Sequence, residues 1–139
     1  MTTPLPNIDN DNRAFWDGVN EGRFLLARCG VCGAWYWPIS YCRQPHPAAP
    51  FMADLAWTEG SGRGTVFAFN VHHVALEGWL ADRLPYVVAI IELAEGPMFG
   101  TNVVDCPPSE VRVGMPVDIV IREVDGVKLP LAVPAAVRR

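Results

Sequence analysis

Between residues 65 and 133 apolar side chains recur mostly at every second position, the period of a strand with one buried face. Thr65 to Val74 reads as a long strand, with Phe67, Phe69, Val71 and His73 on one face and Val66, Ala68, Asn70 and His72 on the other. Tyr86 to Leu93 is apolar on both faces, as a central strand would be. Glu95-Gly96 turns the chain into a third strand, Met98 to Val104. Ser109 to Val113 reads as one helical turn that stops at Gly114. Pro116 to Val124 alternates again through Val117, Ile119 and Ile121, and Asp125-Gly126 is the strongest hairpin signal in the chain. Val127 to Val133 returns as the last strand, with Pro130 marking an edge or a bulge. Five strands with a helical turn between the third and fourth outline an OB-fold barrel.

The first third reads differently. Residues 1–11 form a polar, proline-containing arm. Asn12 to about Glu21 carries a helical spacing, with Phe15 and Val19 on one face, Asp11 as N-cap and Gly22 as terminator. Two strand-like stretches follow, Arg23 to Arg28 and the aromatic Ala34 to Pro38, joined by Cys29-Gly30-Val31-Cys32-Gly33. Pro45, Pro47 and Pro50 mark a linker, and Ala53 to Trp57 a short strand or lead-in to the barrel. The predicted architecture is mainly β: an N-terminal arm and helix (1–22), a zinc-ribbon-like hairpin and linker (23–50), and a five-stranded OB-fold domain (51–139).

Composition narrows the function classes. The chain has 139 residues and a net charge of −4, with half its residues apolar and 19% charged, which fits one compact body and argues against disorder. An acidic chain without a basic groove argues against the nucleic-acid binding for which OB folds are often used. The longest apolar run, Tyr86 to Ile91, is far shorter than the ~20 residues of a membrane-spanning helix. Residues 1–13 hold no apolar stretch of the signal-peptide kind, so a cytoplasmic, reducing location is expected, with thiols or metal ligands in place of disulfides.

The cysteines carry the most specific chemistry. A C-x-x-C knuckle places two thiolates on one turn, and Cys42, ten positions after Cys32, returns from the hairpin as a third donor. The usual ribbon has a fourth cysteine at position 45. Here that position is Pro45, and His46 is the nearest substitute. Two states are open: a structural zinc site of Cys29, Cys32, Cys42 and His46, or a metal-free ribbon whose reduced cysteines pack as small apolar groups. No catalytic constellation is recognisable: there is no nucleophile elbow, phosphate loop or carboxylate pair. His73 is expected to be a core histidine, and Cys106 structural. Trp16, Trp35, Trp37 and Trp79 lie outside the predicted barrel strands. With Phe15 they are expected to form an apolar partner-binding patch. Arg63 or Arg83 offers a guanidinium to an anionic ligand such as a phosphate.

Phe15-Trp16-Asp17-Gly18-Val19-Asn20-Glu21-Gly22-Arg23-Phe24 resembles the opening of the acyl-CoA-associated zinc-ribbon plus OB-fold family, domain of unknown function 35. The resemblance continues in order through Cys29-Gly30-Val31-Cys32-Gly33, Ser61-Gly62-Arg63-Gly64-Thr65-Val66, Leu84-Pro85-Tyr86-Val87-Val88-Ala89, Thr101-Asn102, Val113-Gly114-Met115-Pro116-Val117 and Asp125-Gly126-Val127-Lys128-Leu129-Pro130. It implies a non-catalytic accessory subunit of a thiolase-like acyl-CoA enzyme (an aldolase, thiolase or acyltransferase, including those of steroid or lipid side-chain degradation). Such a subunit stabilises the partner and shapes the acyl-CoA channel. Pro45 departs from the family pattern and bears on metal binding, not on the fold. The alternative is a free-standing acyl-CoA-binding OB-fold protein.

Overall fold

The computed structural model describes residues 4–38, 41–44 and 55–136. The element order is α1 (Arg13–Asn20), β1 (Leu25–Cys29), β2 (Trp35–Tyr36), β3 (Leu55–Glu59), β4 (Arg63–His72), a 3-10 turn (Gly78–Arg83), β5 (Tyr86–Leu93), β6 (Met98–Val103), a second 3-10 turn (Pro108–Glu110), β7 (Pro116–Val124) and β8 (Val127–Pro134). Strands β4-β5-β6-β8-β7 close into a barrel, with β6 and β8 parallel and the other neighbours antiparallel. This is the OB-fold outline expected from the strand spacing, including the helical turn before the fourth barrel strand.

Asp125 and Gly126 have φ of 51° and 83°, and Val124 pairs with Val127. Positive φ at both central residues defines a two-residue type I′ turn, whose twist matches the strands it joins. At the start of β4, Gly64 lies so close to β5 that a Cβ there would stand 2.6 Å from Ile91 Cγ2 and 2.7 Å from the Glu92 carbonyl oxygen. Only a residue without a side chain fits that crossing.

β4 departs from simple alternation. Val66 pairs with Ile91 but Ala68 pairs with Ile90, so Phe67 is an extra residue in a bulge. The inward positions are Gly64 and Val66 before the bulge, and Phe69 and Val71 after it. Phe67 is therefore 53% exposed. His73 lies beyond the strand end and is exposed, which corrects the expectation of a core histidine. His72 stacks on its cross-strand partner Tyr86, ring centroids 4.9 Å apart.

β5 is not apolar on both faces in the buried sense. Val87, Ala89, Ile91 and Leu93 are buried, whereas Val88 and Ile90 face outward. Pro130 is accommodated in β8 because the seam to β6 carries a single bridged pair, Val103–Ala132. Its carbonyl accepts the Thr101 hydroxyl at 2.6 Å.

β3 belongs to the ribbon rather than to the barrel. It pairs along its whole length with β1, from Leu25–Glu59 to Cys29–Leu55, giving a three-stranded sheet β2-β1-β3. The short β2 covers only two residues on one edge of β1, and β3 lines the whole of the other edge.

The helix also differs in its start. Asp11 is not the cap. The Asp9 carboxylate accepts the Asn12 N–H at 3.0 Å while the Asn12 side chain accepts the Asp9 N–H at 2.8 Å, a reciprocal arrangement in the manner of a capping box. The helix ends as expected at Gly22, φ 78°. There the Gly22 N–H bonds the Val19 carbonyl and the Arg23 N–H the Gly18 carbonyl, a Schellman motif. Lys128 of β8 donates to the Asn20 carbonyl at 2.9 Å and ties that helix end to the barrel.

Candidate functional site

The thiol cluster is built by the ribbon. β1 delivers Cys29 at its end, the turn 30–33 carries Cys32 back over it, and Cys42 returns from beyond β2. The three Sγ atoms lie within 4.8 Å of one another, and Cys32 and Cys42 are 3.6 Å apart. Thiolates on one tetrahedral zinc, with Zn–S of about 2.3 Å, sit roughly 3.7 Å apart, so this donor set fits the ion. Backbone N–H groups are aimed at the sulfurs, Val31 at Cys29 and Gln44 at Cys42, each at 3.4 Å. The Cys32 and Val31 N–H groups hold the Cys29 thiol below its ordinary value, which favours the thiolate a metal requires. The Ala34 N–H acts the same way on Cys32, but burial and the neighbouring Cys42 and Cys29 sulfurs outweigh it and raise that thiol. Zinc would supply the charge that lets all three ionise together. His46 and Pro45, on which the expectation for the fourth ligand turned, lie outside the described residues.

Tyr36, which the sequence pattern did not single out, joins this cluster. Its hydroxyl accepts the Arg43 N–H at 3.0 Å and lies 3.6 Å from Cys42 Sγ. The Arg43 N–H lowers its pKa, but the Cys42 sulfur and burial prevail and keep the phenol protonated.

The expected partner-binding residues divide. Phe15 is 2% exposed and corrects the expectation for that position: its ring is spent inside the molecule. It meets Trp16 at 5.2 Å, Trp37 at 5.5 Å, Phe24 at 6.0 Å and Phe99 of the barrel at 6.2 Å. Trp16 and Trp37 are half-buried and form the lip of a cleft of about 200 Å³ that runs between Gly100-Thr101-Asn102 and Leu129-Pro130-Leu131. Trp35 is half-buried under the Arg28 guanidinium, 4.8 Å from its ring. Trp79 stands apart on the first 3-10 turn, its indole N–H donating to Glu77 at 2.8 Å. It lines a neighbouring cavity of about 340 Å³ that shares Asn102, Leu129 and Leu131 with the first cleft. The structure adds Trp57 of β3, which lines a third cleft with Trp16 and Trp37.

Arg63 and Arg83 are not brought together. Arg83 lines the Trp79 cavity and is paired with Asp125 at 2.6 Å, so its charge is committed. Arg63 lines a separate cleft of about 670 Å³ with Arg112, Glu110 and Asp118. Cys106 borders both cavities, and burial raises its thiol. On the outer barrel face Phe67, Val88, Ile90 and Met98 are each 40% exposed or more, an apolar stretch across β4, β5 and β6. No helix among the described residues is long and apolar enough to cross a membrane.

A three-thiol knuckle on a short sheet, joined to a closed five-stranded barrel, defines a zinc-ribbon plus OB-fold protein. Residues 16–46 match the family described as "ChsH2, rubredoxin-like zinc ribbon domain" and residues 57–122 that described as "ChsH2, C-terminal OB-fold domain". A DUF35 domain-containing scaffold protein of Methanocaldococcus jannaschii is 36% identical over 110 residues, covering 78% of this chain and 75% of that protein. The chain therefore belongs to the DUF35 family of zinc-ribbon plus OB-fold proteins. A probable enoyl-CoA hydratase alpha subunit of Thermomonospora curvata is 33% identical over 95% of this chain. A 3-oxo-4,17-pregnadiene-20-carboxyl-CoA hydratase alpha subunit of Mycobacterium tuberculosis is 30% identical over 81% of it. The chain spans only 40% and 34% of the length of these two relatives. Among solved structures, a chain of the "Ltp2-ChsH2(DUF35) aldolase" superposes with a TM-score of 0.80 at 32% identity, covering 94% of this chain and 99% of that one. A DUF35 protein of Sulfolobus solfataricus, 17% identical with a TM-score of 0.58, shares the fold.

Proposed function

We propose that this chain is a non-catalytic accessory subunit of an acyl-CoA enzyme, with a thiolase-like aldolase, thiolase or acyltransferase as its partner. The observation that carries the reading is the likeness, over nearly the whole of both chains, to the DUF35 chain of an aldolase assembly. Two further features support it. Three thiols are gathered within 4.8 Å of one another on the ribbon, a donor set that fits zinc held for structure once a fourth ligand completes it. Apolar surface is also more abundant than a lone body needs, at Trp16, Trp35 and Trp37 on the ribbon side and at Trp79 on the 3-10 turn. The partner holds the catalytic groups, and this chain stabilises it and shapes the acyl-CoA channel. Within that role Arg63 is the arginine to test for an anionic ligand: Arg83 is paired with Asp125, whereas Arg63 lines the larger cleft, which it shares with Arg112 and with the carboxylates Glu110 and Asp118. The hydratase alpha-subunit relatives make a hydratase the runner-up partner class.

Co-expression with a thiolase-like subunit tests the reading. The expected result is a co-purifying complex whose aldolase or thiolase activity falls at least tenfold when this chain is omitted. Full activity of the partner alone, with no complex on gel filtration, would reject it. Calorimetry of the isolated chain with acyl-CoAs is expected to show no strong binding. A micromolar affinity there would favour the free-standing acyl-CoA binder instead.

A further inference from the structure

Cys42 lies in the described stretch 41–44. Tyr41 makes only an isolated bridge, and the described residues 41–44 belong to no helix or strand. Tyr36, by contrast, sits on β2, paired directly with Ala27 of β1. Its hydroxyl reaches across to two points of that stretch, the Arg43 N–H at 3.0 Å and Cys42 Sγ at 3.6 Å. A phenol has one O–H to donate and lone pairs to accept. The Arg43 N–H occupies the oxygen as an acceptor, which leaves the hydroxyl proton for the sulfur. The Gln44 N–H donates to the same sulfur at 3.4 Å. Outer-shell donors of this kind orient a metal-ligating thiolate and spread its charge, and their loss costs metal affinity.

We propose that Tyr36 is a positioning residue for the metal centre, its hydroxyl fixing Cys42 as third ligand by bridging that sulfur and the Arg43 backbone. The inference rests on the reading that the Cys29–Cys32–Cys42 cluster binds a metal. It assigns the aromatic run Trp35-Tyr36-Trp37 two separate tasks. Trp37 packs on the barrel through Phe99 at 4.7 Å, while Tyr36 turns to the thiols.

The experiment compares the full chain with Tyr36→Phe, which keeps the ring and removes one oxygen. Zinc content is measured first. Zinc affinity then follows from competition with a chromophoric chelator, and the sulfur-to-metal charge-transfer band is recorded after cobalt(II) loading. The expected result is about one zinc per wild-type chain, a ten- to hundredfold weaker affinity in Tyr36→Phe, and a shifted charge-transfer band. Wild-type protein that takes up no metal overturns the metal reading and this role with it. Wild-type protein that binds zinc, with affinity and spectrum unchanged in Tyr36→Phe, overturns the role of Tyr36 alone. A second variant with p-aminophenylalanine at position 36 restores an N–H donor and is expected to recover most of the affinity. If it binds no better than Tyr36→Phe, the hydrogen bond is not the cause.

Discussion

Trp37 of the ribbon stands edge-on to Phe99 of the barrel, ring centroids 4.7 Å apart and planes at 72°. Phe15 of α1 meets both rings, and Phe24 approaches Phe99 at 5.1 Å. Helix, ribbon and barrel therefore share one aromatic core, and none of the three could bury these rings alone. Each edge-to-face pair adds roughly 0.5–1.5 kcal/mol beyond the area it removes from water. Phe99→Ala is expected to cost about 3–5 kcal/mol in chemical denaturation, with tryptophan fluorescence and far-ultraviolet circular dichroism reporting a less cooperative transition. A loss below ~1 kcal/mol would mean that the modules fold without this junction.

Gly64 and Gly100 both lie in barrel strands but differ in what surrounds them. A Cβ at Gly64 meets the Glu92 carbonyl at 2.7 Å, and one at Gly100 meets nothing within 4 Å. Gly64→Ala should therefore destabilise the barrel by about 1–3 kcal/mol, because the obstacle is partly backbone. Gly100→Ala should be near neutral. Equal denaturation midpoints for the two variants would contradict the close crossing of β4 over β5.

Arg122 and Asp105 form a two-pronged ion pair, one prong at 2.8 Å, and the Arg122 guanidinium holds the Asp105 carboxyl below its ordinary range. A depressed folded-state value contributes stability that is present above the unfolded value, near 3.9, and is lost as pH falls through the folded one. Asp105 has φ of 58°, which asparagine also tolerates, so Asp105→Asn removes the charge without straining the backbone. Wild type should melt above Asp105→Asn at pH 7, and the two curves should converge as pH falls below the ordinary carboxylate range and through the lowered folded-state value. A gap that persists at the acid end would point to a cause other than the ion pair.

Metal removal tests how far the ribbon depends on its centre. β1 carries Cys29 at one end and the fully buried Leu26 within it, so loosening the cluster should reach the shared core. Chelation, or Cys42→Ser, is expected to lower the melting temperature of the whole chain. A ligand present at about a thousand times its dissociation constant stabilises by ~4 kcal/mol, and that contribution is lost with the metal. Unchanged melting in excess chelator would identify the metal-free ribbon.

Much of this molecule is legible from local spacing. The Asp125-Gly126 turn, the stop at Gly22, the five barrel strands and the C-x-x-C knuckle follow from short-range steric rules, and each stands where those rules put it. The expected ribbon also formed, because a hairpin closed at Cys29 and Cys32 brings Cys42 back within reach. The Phe67 bulge was hidden, because an extra residue reverses the facing of every later position while leaving the apolar composition of the strand intact. Trp57 and Tyr36 were missed for a related reason: each lay in an apolar stretch that reads equally well as core.

The sequence by itself determined the elements, their turns and the thiol spacing, all of which depend on backbone sterics over a few residues. Only the tertiary structure decided that β3 completes the ribbon, since a free strand edge accepts whichever partner the chain returns to it. It also decided that Phe15 is interior and that Arg83 is spent on Asp125, 42 residues away. Burial and ion pairing are set by what lies opposite in space, and spacing along the chain carries no record of that.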